Sequence, residues 1–368
     1  MERLHSYVVV VGGGPAGAMA ARTLAEAGRE VLLVERDFAN EKPCGGGLFL
    51  RAFDEFAIPR DLITKEVKNI TIVGPDSERV DVDIAEHPIG VVHRQAFDAA
   101  LREQARDAGA QLIEGRAIGV AHKGNRIRVK VRDKKGELLE IEAEWLIAAD
   151  GVNSTIRRHH LGSHPSRILT WYADLPDRQS EACQFWFGQD IAPGHYAWIF
   201  PHYQGINVGL VAHDPAQARR WYDRFFAKAD LGTPPKPKGY YIPYWEPSTL
   251  HKDRILYVGD SAALVLPFTY EGIYYAFKSG RLAAEALVTG DPADYPRKWE
   301  TLYGQKFRFL HRLQSIFLRN DWLTRRMVQL YRRPRFQRAV LGYWSGSRPP
   351  ESLPMLVWKV VKSLVYYR

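Results

Sequence analysis

The chain begins with sharp changes between apolar runs and small residues. Val8–Val11 is a short uninterrupted apolar run, the pattern of a strand buried on both faces of a parallel sheet. An alanine-rich stretch, Ala16 to Ala27, predicts a helix that Gly28 can close. Val31–Val34 repeats the buried-strand pattern and ends at Glu35. Residues 93–109 carry apolar positions at helical spacing, with Arg94 at the helix start. Residues 142–157 read as a strand ending at Asp150-Gly151, with Arg157 in the helix that follows. Residues 253–287 read as a strand ending at Gly259-Asp260, then Pro267, then a helix starting near Gly272. Strand-like alternation fills the intervals. Residues 67–92 alternate apolar and polar, and residues 126–149 predict a hairpin turning at "DKKG". From about 165 to 250 the strands are aromatic, in "CQFWFG", "HYAWIFP" and "INVGLV", and predict an antiparallel sheet. "GTPPKPKG" (232–239) predicts a loop.

The first helix follows a glycine signature with a definite chemistry. Gly12, Gly14 and Gly17 form GxGxxG between a predicted strand and a predicted helix that opens with Pro15 and Ala16. The first glycine permits the tight turn, the second lets backbone approach a pyrophosphate, and the third lets helix pack on strand. The helix N-terminus then faces the phosphate charge. Glu35, followed by Arg36, stands where an acid binds an adenosine ribose hydroxyl. These features predict a dinucleotide site without choosing between FAD and NAD.

The composition fits a folded chain of about two domains. Two cysteines, Cys44 and Cys183, exclude a disulfide framework, and neither has a second cysteine nearby, so no metal site is expected. The expected compartment is reducing and cytoplasmic, without a signal peptide or a spanning helix. Charge is uneven: residues 291–368 hold 16 Lys/Arg against 5 Asp/Glu, within a formal net charge of +9 for the whole chain. The body is therefore near neutral and the tail basic, which points to an acidic partner surface.

The order of the motifs (GxGxxG, an Arg opening a helix, DG, then GD) resembles that of the flavoproteins containing aromatic hydroxylases and geranylgeranyl reductases. Three stretches are more similar to the reductases: "KPCGGGL", "PFTYEGIYYAFKSGRLAAEA" and the YxWxFP signature in "PGHYAWIFPHYQGINVGLV". Many of the hydroxylases carry a histidine soon after GD, where this chain has Ala263. The resemblance covers residues 7 to about 290 and implies FAD as cofactor. It implies that Asp260 holds the ribityl chain, that Asp150 and Gly151 lie near the pyrophosphate, and that Arg94 reaches the cofactor. Gly259, Pro267, Gly272 and Ile273 would then surround the flavin, with the helix dipole near Ile273 facing the N1/O2 edge. The implied architecture is α/β. A Rossmann-like FAD-binding domain (residues 1–66, 90–165 and 251–290) carries an inserted antiparallel-sheet substrate domain (67–89 and 166–250), and a basic, aromatic helical region closes the chain (291–368). The implied reaction reduces carbon–carbon double bonds of an isoprenoid: a prenyl lipid, a quinone tail or a prenyl diphosphate. No second GxGxxG is present, so electrons come from an external donor, either NAD(P)H or a reduced carrier.

Two groups of residues would serve that reaction. An isolated alkene accepts hydride poorly unless a proton reaches its other carbon. A thiol with its ordinary pKa of about 8.5 keeps a proton at neutral pH, whereas an ordinary carboxylate does not. The reductases carry a cysteine in this glycine-rich segment, which implies a catalytic or flavin-lining role for Cys44, with Gly45 and Gly46 letting backbone approach the flavin ring. Cys183, without such a context, is expected to pack. Tyr196, Trp198 and Phe200 alternate before Pro201 and so share one strand face, as a tunnel wall for a polyprenyl chain or as ordinary core. The tail mixes arginine with Phe, Leu, Trp and Tyr, and residues 352–368 predict an interfacial helix. Contact with the inner membrane face is expected, and nucleic acid is not. The alternatives are a flavin monooxygenase of an aromatic or quinone and a membrane-docked electron carrier.

Overall fold

The computed structural model describes residues 2–345. The chain divides into two compact units. One comprises the chain up to Cys44 with Arg94–Ile168 and Tyr241–Phe307; the other comprises Gly45–His93, Leu169–Tyr240 and the chain from Arg308.

The first unit is built on an eight-stranded sheet. Its strands run in the order His251–Lys252, Ile255–Tyr257, Leu138–Ala148, Glu2–Val11, Val31–Glu35 and Gln111–Glu114, and the last five of these are mutually parallel. Arg126–Arg132 extends it antiparallel to the long strand Leu138–Ala148, and Arg116–Lys123 lies antiparallel to Arg126–Arg132. Val8–Val11 and Val31–Val34 are wholly buried, as an apolar run in a doubly covered sheet requires. The first strand begins earlier than its apolar run, at Glu2, because its polar first half pairs with Leu139–Ala143. Val11 stands beside both Ala148 and Val34, so three strands end together. Ligands of open parallel sheets bind outside such carboxyl ends.

The helices of this unit follow the sequence reading closely: Pro15–Glu26, Arg94–Asp107 and Ile273–Thr289. Small residues let the first and last approach each other. A Cβ on Gly280 would overlap the carbonyl oxygen of Ala16. The "DKKG" hairpin is present, with Asp133 N–H donating to the Glu137 carbonyl at 3.1 Å.

The second unit contains a seven-stranded sheet in the order Lys238–Pro243, Arg167–Leu175, Ile206–Val211, Ala197–Pro201, Ala182–Trp186, Asn69–Val73 and Arg79–Asp83. It is not purely antiparallel: Ala182–Trp186 runs parallel to Asn69–Val73, since these strands come from separate excursions of the chain. A three-stranded sheet of Gly47–Phe49, Ile89–Val92 and Ile63–Val67 joins it, which groups residues 45–66 with this unit. The proline-rich connection is shorter than its composition suggests, and a strand begins at Lys238.

A helix absent from the sequence reading, Ala218–Lys228, lies within the strand-rich region. Trp221, Tyr222, Phe225 and Phe226 on its buried face pack with Ile199, Val208 and Leu210 of the sheet. Each such buried side chain contributes roughly 1.5–3 kcal/mol. This helix closes one face of the seven-stranded sheet. The C-terminal helices Gln305–Phe317, Asp321–Tyr331 and Pro334–Ser345 follow, and Asn320 caps the second of them by accepting from Leu323 N–H at 3.0 Å. The segment 352–368, expected as an interfacial helix, lies outside the described residues.

Candidate active site

In the first unit the predicted dinucleotide residues converge at the strand ends. Gly12 adopts φ +105°, and a Cβ there would overlap the Ala149 carbonyl. A Cβ on Gly17 would overlap the Gly12 carbonyl oxygen. Both glycines are therefore demanded by the chain itself. Gly14 differs: nothing lies within 4 Å of a Cβ built there. It precedes Pro15 at the start of the helix and offers that helix no side-chain cap. An open cradle above a helix N-terminus is the shape and polarity that a pyrophosphate needs. The residues present fit FAD on this ground.

Glu35 ends its strand with its carboxylate turned to the same turn, accepting from Gly13 N–H at 2.6 Å. Arg36 is exposed and donates to Asn40 Oδ1 at 3.3 Å. Arg102, which the sequence reading missed, holds the turn from the other side, donating to the carbonyls of Gly13 at 3.3 Å and Phe38 at 2.8 Å. The available signal was three charged residues, Arg94, Asp98 and Arg102, four apart on the buried face of one helix.

Asp150 and Gly151 lie beside the glycine turn, since a Cβ on Gly12 would be 2.8 Å from Asp150 N. The Asp150 carboxylate turns toward its own loop, accepting from Ser154 Oγ at 2.5 Å and Ile156 N–H at 3.0 Å. Burial raises its pKa, and these donors oppose the rise. The carboxylate thus braces the start of the helix Thr155–Leu161.

The GD motif is equally constrained. Gly259 takes φ +57° against Ala16, and its N–H donates to Ser279 Oγ at 2.9 Å. Asp260 forms an ion pair with Lys42. A Cβ on Gly272, which precedes Ile273 at the helix start, would be 3.7 Å from Asp260 Oδ1. Between these glycines the chain passes buried Pro267, and Ala263, Phe268 and Tyr270 all adopt positive φ. Left-handed backbone at bulky residues is strained and concentrates at functional loops.

Cys44 sits in the segment tethered by Lys42. Its sulfur interacts electrostatically with Arg94, whose Nε and Nη2 donate to Asp98 at 3.1 and 2.7 Å. Burial works against the charge on Arg94, but the Asp98 carboxylate and Cys44 outweigh it and raise the guanidinium above its ordinary pKa. Arg94 is thus a permanent cation beside the thiol. Lys42 was not singled out in the sequence, although it stands two residues from Cys44 in the same motif. Cys183 is buried in its strand, and burial pushes its thiol up to about 12, in keeping with a packing role.

In the second unit Gly45 and Gly46 have reasons within the chain. A Cβ on Gly45 would be 2.9 Å from the Phe200 ring, and Gly46, at φ +69°, would bring one to 2.5 Å from the Val92 carbonyl oxygen. Trp198 and Phe200 are half-buried, whereas Ala197, Ile199 and Pro201 are buried. The half-buried rings form an aromatic face. Tyr196 and Phe200 pack edge-on against Phe185 at 5.1 and 5.0 Å, and Trp344 lies 4.9 Å from Phe49 and 6.3 Å from Phe185. Trp198 Nε1 donates to Asn207 Oδ1 at 2.8 Å, and Asn207 Nδ2 donates to Asp174 at 2.7 Å. Gly209 stands opposite Trp198 in the sheet register, and any side chain there would overlap the indole.

Comparisons with known proteins agree with this geometry. A family model described as an FAD binding domain matches residues 5–230. The chain is 32% identical to the chloroplastic geranylgeranyl diphosphate reductase of Arabidopsis thaliana, over 88% of this chain and 76% of that protein. It is 30% identical to the digeranylgeranylglycerophospholipid reductase of Methanosphaerula palustris, over 85% of this chain and 86% of that one. A solved structure of a geranylgeranyl bacteriochlorophyll reductase-like protein from Thermoplasma acidophilum superposes with a TM-score of 0.78 at 26% identity, covering 89% of this chain and 92% of that chain. With a glycine cradle shaped for a dinucleotide and such relatives along most of its length, the chain belongs to the geranylgeranyl reductase family of FAD-dependent oxidoreductases.

Proposed function

We propose that this enzyme reduces isolated carbon–carbon double bonds in an isoprenoid chain, and that Cys44 delivers the proton. The observation that carries the reading is the setting of Cys44. The segment that bears it is tied through Lys42 to Asp260, and its thiol interacts electrostatically with the Arg94 guanidinium. When bound and reduced, FAD supplies the hydride. The protein must then protonate the other alkene carbon and stabilise what it leaves behind. Proton transfer from Cys44 Sγ leaves a thiolate, which the Arg94 guanidinium beside it stabilises. Asp98 keeps that guanidinium oriented through two hydrogen bonds.

The aromatic face around Phe185, Tyr196, Trp198 and Phe200 is the substrate surface in this reading. It offers polarizable apolar contact and few groups that would demand hydrogen bonds, which suits an unfunctionalised polyprenyl chain. The test is a single turnover without oxygen: flavin is reduced, a polyprenyl diphosphate or prenyl lipid is added, and flavin reoxidation is followed. Cys44→Ser should retain bound FAD and its reduction, yet reoxidise at least about tenfold more slowly with substrate. Wild-type rates in that variant would remove the proton-donor role.

In this reading a lipid-borne isoprenoid substrate brings part of the reaction to a lipid surface. Among the described residues no helix is long and apolar enough to cross a membrane. On the C-terminal helices Ile316 and Trp322 are 48% and 55% exposed, and Arg319 and Arg325 are exposed near them. An apolar wedge among cations is the composition of a surface contact with anionic lipid. Flotation with vesicles rich in anionic lipid should carry the full chain, and Trp322→Ala should weaken it. Equal recovery with neutral and anionic vesicles would remove this contact from the account.

A further inference from the structure

Away from the cofactor-side residues, three potential metal ligands meet on the first unit. They are His122 on the strand Arg116–Lys123, His160 on the helix Thr155–Leu161, and Asp253 in the turn between His251–Lys252 and Ile255–Tyr257. His160 Nε2 lies 3.3 Å from His122 Nε2 and 3.0 Å from Asp253 Oδ2, and His122 Nε2 lies 3.9 Å from the same oxygen. Their sequence separations hide them from any spacing motif, which is why the cysteine-based reading expected no metal.

We propose that His122, His160 and Asp253 bind a divalent transition-metal ion of the zinc class. The distances carry the inference. Two ligand atoms each about 2.0–2.1 Å from a zinc ion stand about 2.9 Å apart at a right angle and about 3.3–3.4 Å apart at the tetrahedral angle. Two of the three edges fall in this range, and the third closes by rotating the exposed Asp253 carboxylate or the half-exposed His122 ring. Proton placement argues the same way. One proton on His160 Nε2 can bridge to Asp253 or to His122, but not to both, whereas a cation takes a lone pair from all three.

The surroundings are arranged as an outer shell. His160 Nδ1 is within 2.6 Å of the Tyr257 hydroxyl, which orients the ring and turns Nε2 toward the other two ligands. Asp253 adopts φ +53°, and its carbonyl accepts from His251 Nε2 at 2.9 Å, which fixes the turn that presents the carboxylate. Two imidazoles and one carboxylate favour Zn²⁺, Ni²⁺ or Co²⁺ over Mg²⁺ and Ca²⁺, and three protein ligands leave room for water. The site would clamp a strand, a turn and the helix that Asp150 and Ser154 start.

The test uses the FAD-loaded full chain, free of any affinity tag and stripped with a chelator. Titration calorimetry with Zn²⁺ should give one ion per chain, with a rise in melting temperature. His122→Gln and Asp253→Asn alter exposed side chains, and asparagine tolerates the left-handed backbone at 253. Both variants should keep flavin content and chelated melting temperature. Each should weaken Zn²⁺ by more than the roughly 10–100-fold that loss of an outer-shell partner costs a metal site. No stoichiometric binding in the wild type, or wild-type affinity in both variants, would overturn the site.

Discussion

Gly14 and Gly209 both stand in motifs that carry the family resemblance, yet a side chain added at each would meet different surroundings. Beside Gly14 lies open space above a helix N-terminus. Beside Gly209 lies the Trp198 indole, seated on the neighbouring strand. One glycine leaves room for something outside the chain and the other makes room for the chain's own ring. The same contrast runs inside the GxGxxG signature, where Gly12 and Gly17 are filled by backbone and Gly14 is not. A glycine motif is therefore a mixture of ligand-facing and self-facing positions, and only the fold separates them.

The contrast is sharpest at Gly17. Alanine there must displace the Gly12 carbonyl, which is backbone and cannot swing aside. Gly17→Ala should destabilise the protein at or above the usual overpacking cost of about 1–3 kcal/mol. Soluble yield and thermal melting in the absence of added FAD would read it, and a wild-type melt would contradict the packing account.

Gly209→Ala should cost within that same range of about 1–3 kcal/mol. Part of the clash is with a movable indole, though the Trp171 carbonyl also lies 2.6 Å from the added Cβ. The displaced Trp198 would lose its hydrogen bond to Asn207, so near-ultraviolet circular dichroism should change along with the melt. A shifted melt with an unchanged aromatic signal would mean that the indole does not occupy this space.

Gly14→Ala should leave the melt of the FAD-free chain within about 0.5 kcal/mol, as an unencumbered surface substitution does. Its backbone, at φ −77°, suits any residue. FAD affinity should nevertheless fall by at least about tenfold, equivalent to about 1.4 kcal/mol. Equal FAD binding would show that the open cradle is not where the pyrophosphate lies.

Much of the first unit was legible in the sequence because its signals are local. The run Val8–Val11, the glycines after it and Glu35 lie within one strand–helix–strand segment, where period and punctuation suffice. The order of Asp150-Gly151 and Gly259-Asp260 carried the resemblance to the family. Less legible were contacts that need the chain folded. Lys42 meets Asp260 and Arg102 meets Gly13 across long stretches of sequence, and no periodicity announces either. The helix Ala218–Lys228 was hidden for another reason. Its aromatic residues, Trp221, Tyr222, Phe225 and Phe226, resemble the strands around it in composition, and their helical spacing is the feature that distinguishes them. Gly45 and Gly46 are expected to leave room for a flavin ring, and the fold adds a reason that no sequence pattern carries: a Cβ at either would meet the Phe200 ring or the Val92 carbonyl.

The central claim is that electrons leave the flavin for an isoprenoid double bond. Its most direct test is to reduce the bound flavin under strict exclusion of oxygen, add a polyprenyl substrate, and record flavin absorbance together with the product mass. The account predicts that substrate alone reoxidises the flavin and that the product gains two hydrogen atoms for each bond reduced. Reoxidation only after oxygen is admitted, with a hydroxylated product, would contradict it.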